Sequence, residues 1–208
     1  VLRHIQRVLS DLYDLEPTVD VEQFVCGPEV LRAAIGEGAS HRREVLLVLE
    51  DEDGVHVGLY LDPEVLERLR AADPDFTSVC LATEGVSHFL YLGFRADNAQ
   101  QVSQLELELQ AEVDKYAAGL LAGNGVGAIR ARSRALRERL FYDARFLDPP
   151  ETMEGQRYRL AHRAAARYAA ALEARYVDRG RLRELWTELR RFYRLGARQK
   201  LERAETLF

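Results

Sequence analysis

The segment from Glu44 to Leu61 constrains this chain more than any other. Val45-Leu46-Leu47-Val48-Leu49 is a continuous apolar run, Asp51-Glu52-Asp53-Gly54 is an acidic turn, and Val55 to Leu61 brings the chain back. Apolar runs of this length on either side of a turn predict an antiparallel hairpin. A hairpin must bury a face against something, so the fold must supply helices to cover it.

Helical spacing dominates elsewhere. Leu2, Ile5, Leu9, Leu12 and Tyr13 share one face of an opening helix. Glu16-Pro17 ends it, because the residue before proline is pushed out of the helical region. Pro28 suits the first turn of a short helix reaching about Ile35, where Gly36 and Gly38 break it. Asp62 caps, and Pro63 opens, a helix through Val65, Leu66 and Leu69. Over 75–87 Phe76, Val79 and Cys80 fit either a helix that stops at Gly85, the reading preferred, or a strand turning at Glu84-Gly85, and a strand is expected from about His88 to Phe94. Val102, Leu105, Leu109, Val113, Tyr116 and Leu120 form the apolar stripe of a helix over about 99–121.

Gly123-Asn124-Gly125-Val126-Gly127 is the expected boundary, since three glycines in five residues favour a loop. Beyond it the sequence predicts no strand. Helices are expected over about 128–141, 154–176 and 179–195, with a shorter final one and a break at Asp148-Pro149-Pro150. The expected fold is α+β. An acidic segment, 1–122, holds a small antiparallel sheet with covering helices, and a basic, all-helical bundle, 123–208, follows it as a second segment or as part of one continuous domain.

Composition narrows the classes. The chain is 47% hydrophobic and 30% charged, an ordinary globular balance. No stretch reaches the ~18 apolar residues of a membrane span, so no membrane partner is expected. Arg3, Arg7, Asp11 and Asp14 interrupt the first apolar pattern, which therefore does not read as a secretory leader. Cys26 and Cys80 are far apart with apolar neighbours, which predicts free thiols in a reducing, cytoplasmic setting. Residues 1–120 carry 23 acidic against 9 basic side chains, and residues 121–208 carry 11 against 20. Lys115 and Lys200 are the two lysines among 29 basic residues, so arginine abundance reflects a general bias and argues little by itself.

The chemical motifs are weak. The glycine loop at 123–127 lacks both the G-x-G-x-x-G spacing after a strand and a Gly-Lys-Ser/Thr ending. In the acidic turn, a calcium loop with Gly54 at its sixth position would put Tyr60 where the closing glutamate belongs. No G-x-S-x-G is present. Glu84, His88 and Glu112 form a candidate carboxylate–histidine site, with Glu106 and Glu108 on the same helix as Glu112, but a helix ending at Gly85 would not put Glu84 and His88 on one face, and Glu106 and Glu108, two residues apart, diverge. The sequence thus predicts no catalytic residue, no cofactor and no bound metal.

The most regular pattern is basic. Arg130, Arg134 and Arg137 line one helix and Arg183, Arg190 and Arg194 another, a possible face for an anionic partner. Tyr158, Tyr168, Tyr176, Trp186, Leu189, Phe192 and Tyr193 fall on packing faces, which removes them from base stacking. The expected role is a non-catalytic binding or regulatory protein acting through protein–protein contacts, self-association included. The alternatives are a nucleic-acid-binding protein using the arginine-rich helices, and an enzyme with the carboxylate–histidine site.

Overall fold

Helix α1 (Leu2–Tyr13) forms because its apolar residues recur once per turn, and Leu2, Ile5, Leu9, Leu12 and Tyr13 are all buried on one face. It ends before Pro17 is reached, at Asp14, whose left-handed backbone (φ 59°) lets its N–H bond the carbonyl of Ser10. The computed structural model describes residues 1–52, 54–122, 126–142, 144, 146 and 148–207.

The hairpin is as expected. Strands β2 (Glu44–Asp51) and β3 (Gly54–Leu61) pair antiparallel, from Glu44 opposite Leu61 to Asp51 opposite Gly54. A short strand, β1 (Val25–Cys26), adds in parallel to the other side of β3. The sheet is therefore mixed, in the order β1-β3-β2, with β2 at an edge. Leu59 and Leu61 point into the main core, while Leu47 and Tyr60 join Leu31 of α2 (Pro28–Ile35) in a smaller cluster.

Asp62 accepts a hydrogen bond from the Glu64 amide and so starts α3 (Pro63–Leu69). The next element departs from expectation. Helix α4 (Phe76–Asp97) runs 22 residues, passes through Gly85 and takes in the whole segment expected as a strand at 88–94. That segment is apolar on nearly every side, with Val86, Phe89, Leu90 and Tyr91 all buried. Such a run fits a fully enclosed helix as well as a strand, because neither period shows in it. Gly85 is not a stop. A Cβ there would lie 2.8 Å from Leu59 Cδ1 and 3.2 Å from Glu44 Cγ, so the glycine is what lets α4 press against the sheet.

Helix α5 (Gln104–Leu121) starts five residues later than the sequence suggested, at a reciprocal cap between Ser103 and Glu106. Then come α6 (Val126–Arg137), continued by a π turn over Glu138–Tyr142, α7 (Met153–Leu172) with its own π turn over Glu173–Val177, α8 (Leu182–Tyr193) and α9 (Ala197–Thr206). Among the described residues no strand follows residue 125. Asp53 of the acidic turn and residues 123–125 of the expected boundary lie outside the described residues. No helix among those described is long and apolar enough to cross a membrane.

One apolar cluster takes side chains from both halves of the chain. Tyr13 stacks on Tyr193 with ring centres 4.1 Å apart, and Leu185, Leu189 and Phe192 are buried beside them. Trp186 packs at the edge of this cluster, half-buried. A polar seam runs through it. Asp114 accepts hydrogen bonds from Tyr13, from Ser87 Oγ (2.6 Å) and from Gln110 Nε2 (2.7 Å). Lys200, fully buried, donates to Gln110 Oε1 and sits 4.4 Å from the Tyr91 ring centre and 4.8 Å from that of Phe192.

Candidate metal centre

Because α4 is unbroken at Gly85, Glu84 and His88 stand one turn apart on the same face. Glu108 and Glu112 do the same on α5, which packs against α4. The close approach at Gly85 also brings the first residue of β2 to this face. Glu44 Oε1 lies 3.3 Å from His88 Nδ1, and both side chains are 8% exposed. The far nitrogen of the ring, Nε2, is enclosed and has no hydrogen-bond partner. One donor atom each from Glu84, His88 and Glu108 lie within 4.8 Å of one another.

A second layer surrounds these three. Tyr158, from α7, stands beside Glu108 and favours its ionised form. Lys115 Nζ bridges two helices, 3.1 Å from Glu84 Oε2 and 2.8 Å from Glu112 Oε1. His162 places Nδ1 3.6 Å from Glu112 Oε2 and donates from Nε2 to the carbonyl of Phe141 at 3.2 Å.

Charge in this nest is unbalanced towards the carboxylates. Burial pushes Glu108 up to about 7, against the pull of His88. Burial also raises Glu44, and His88 only partly offsets it. His88 feels burial in the opposite sense, but Glu44, then Glu108 and Glu84, outweigh it and lift it to about 9. For Glu112, burial is overcome by Lys115 and His162, which hold it down at about 2. Lys115 resists burial because Glu112 and Glu84 flank it, and it stays charged well beyond the ordinary lysine range.

The nest opens into a cavity of about 540 Å³. Glu84, Glu112, Lys115, Tyr158 and His162 line its polar side, and Phe76, Leu81 and Phe146 line an apolar one. Cys80 also borders it, but burial lifts its thiol to about 11, which leaves it unreactive at neutral pH.

Glu84, His88 and Glu112, the candidates visible in the sequence, are thus brought together. Glu108, on the same helix as Glu112, is brought in with them, and Glu44, Lys115, Tyr158 and His162 join them unforeseen. Two signals were present. The pairs Glu84/His88 and Glu108/Glu112 are each four residues apart, and both lysines of this arginine-rich chain are buried at polar clusters. Where arginine is the default cation, a retained lysine marks a place that fits a compact ammonium and not a guanidinium fork.

The arginine rows go elsewhere. Arg190 donates to the carbonyls of Leu12 and Asp11, and Arg194 to that of Tyr13, so both close the C-terminal end of α1. Arg130 reaches the carbonyl of Val177, and Arg137 pairs with Glu173. Arg134 and Arg183 remain exposed, on separate helices. No family model matches this chain, and neither the curated proteins nor the solved structures yield a match.

Proposed function

We propose that this chain is a metal-dependent enzyme, with one divalent cation held by Glu84, His88 and Glu108 behind the cavity wall that Glu84 and Glu44 line. The observation that carries this reading is the cluster of donor atoms from Glu84, His88 and Glu108, on a histidine whose Nδ1 meets Glu44 and whose Nε2 is buried without a partner. A carboxylate behind one ring nitrogen fixes the tautomer and aims the other at a metal. First-row ions bind such donors at about 2.0–2.2 Å, so three ligand atoms in a tetrahedral or facial arrangement stand about 3–3.5 Å apart. Donors up to 4.8 Å apart must close by roughly 1–2 Å around the ion. Two carboxylates with one imidazole suit manganese, iron or zinc, and three protein ligands leave room for water and substrate.

The reaction class that fits is metal-assisted hydrolysis of a small substrate. The cation would supply Lewis acidity. Lys115, a fixed charge in the cavity wall, is placed to stabilise developing negative charge on the substrate. Tyr158 stands beside Glu108, and Glu44 holds His88 in place. Metal content of the purified protein after dialysis against manganese, iron or zinc tests the centre. Stoichiometric retention by the native chain, lost in Glu84→Gln and His88→Gln, supports it, and no retained ion overturns it.

A protein-contact role is the second reading. The hairpin tip favours it, since Val48, Leu49 and Val55 are exposed there on and beside an edge strand.

A further inference from the structure

We propose that the cavity binds a small organic oxyanion, a phosphate monoester or a carboxylate on an apolar body, whose anionic group is gripped by Arg42 and Arg139. The inference rests on the metal-centre reading for the ion behind the wall and on the cavity lining for the rest.

Four arginine and lysine side chains from three parts of the chain line this space: Arg42, Arg43, Lys115 and Arg139. Two are engaged already. Arg43 meets Glu64 at 3.4 Å, and Lys115 is shared between Glu84 and Glu112. Arg42 and Arg139 have no carboxylate partner among the described residues. The carboxylates of the cavity are occupied in turn, Glu44 with His88, and Glu84 and Glu112 with Lys115, which leaves Asp148 as the remaining acidic lining residue.

Arg139 is held flat. Its guanidinium carbon lies 4.0 Å from the centre of the Phe76 ring. Stacking fixes the plane of the group and leaves its N–H edge free, the arrangement in which arginine grips a planar or tetrahedral oxyanion by two parallel bonds. Arg42 is half-buried at the same cavity. Phe76, Leu81 and Phe146 offer an apolar wall for the ligand body. The volume is within the ~300–1,000 Å³ of small-molecule sites and far below what a folded partner would need.

The test is calorimetric titration of phenyl phosphate, benzoate and the neutral benzyl alcohol into the full chain, both manganese-loaded and chelated. At least one anion should bind and benzyl alcohol should not, and the preferred anion identifies the oxyanion. Arg42→Gln and Arg139→Gln should each weaken that anion by about tenfold or more, the scale of a lost charge-assisted hydrogen bond, with metal content unchanged. Arg139→Lys should fall between, since it keeps charge but not the fork. Benzyl alcohol binding as well as the anions, anion affinity untouched in both glutamine variants, or no binding at all would overturn the inference. The two readings fail separately. Anions that bind the chelated chain with the same arginine dependence preserve this inference even if no metal is retained, and a loaded protein that ignores all three ligands preserves only the metal centre.

Discussion

Glu44 and His88 are 44 residues apart in the chain and 3.3 Å apart in the fold, and their contact exists because Gly85 lets the helix carrying the histidine touch the strand carrying the carboxylate. Partners behind a metal-binding histidine typically govern affinity by about 10–100-fold. Glu44→Gln should therefore weaken manganese or zinc binding within that range in a chelator competition, while His88→Gln abolishes it. Unchanged affinity in Glu44→Gln would place the ion elsewhere.

Gly85→Ala separates two opposing effects. Alanine is better than glycine inside a helix by about 1 kcal/mol. Here the new methyl meets Leu59, which is itself fully buried, and Glu44. Overpacking of that kind costs about 1–3 kcal/mol, so the variant should be neutral to about 2 kcal/mol less stable by urea unfolding. A gain in stability, as at an open helical glycine, would contradict the close helix–sheet contact.

Lys115→Met removes the cation between Glu84 and Glu112 and leaves both carboxylates buried without it. Breaking a buried pair in this way costs about 3–5 kcal/mol. The melting temperature in chelator should fall accordingly. Added manganese should restore more stability to this variant than it adds to the native chain, because an ion can take over the role of the ammonium. Equal gains in the two proteins would argue that Lys115 and the metal do not share the same carboxylates.

Lys200 gives the chain a pH dependence of its own. Burial pulls its ammonium down to about 7 from an ordinary 10.5, although Asp114 and Glu106 oppose the shift. Between those values the unfolded chain holds a proton that the folded chain lacks, so stability rises with pH through this window. The slope approaches about 1.4 kcal/mol per pH unit at most. Comparing urea midpoints at about pH 7.5 and about pH 9 should show a rise of about 1–2 kcal/mol that Lys200→Met lacks. A variant with the native slope would show that Lys200 keeps its proton inside the fold.

Much of the fold could be read from local chemistry. The hairpin followed from two apolar runs around a turn, and α2 and α3 from a proline at the first helical position, with Asp62 capping the second. What failed was Gly85 to Phe94, where the decisive contact, glycine against Leu59 and Glu44, belongs to tertiary structure and leaves no trace in periodicity. The same error hid the site. With the helix taken to end at Gly85, Glu84 and His88 were on no common face, and nothing local could predict that β2 would deliver Glu44. Glu108 and Glu106 do diverge, as their spacing requires: Glu106 turns to Arg95, and Glu108 turns to Glu84 and His88. That Arg190 and Arg194, two members of the possible anionic-partner face, meet backbone carbonyls of α1 is likewise a tertiary fact that no local pattern shows.

Those carbonyl contacts carry a consequence for synthesis on the ribosome. Arg194 closes the end of α1 from 181 residues away, and Lys200 supplies Gln110 with its ammonium partner from 90 residues away. At about 5–20 residues per second, roughly ten to forty seconds separate the emergence of Tyr13 from that of Arg194. Through that interval the terminal carbonyls of α1 stay open, although α4 and α5 emerge early enough to cover its apolar face. The first helix therefore docks in two stages, its apolar face first and its C-terminal carbonyls last.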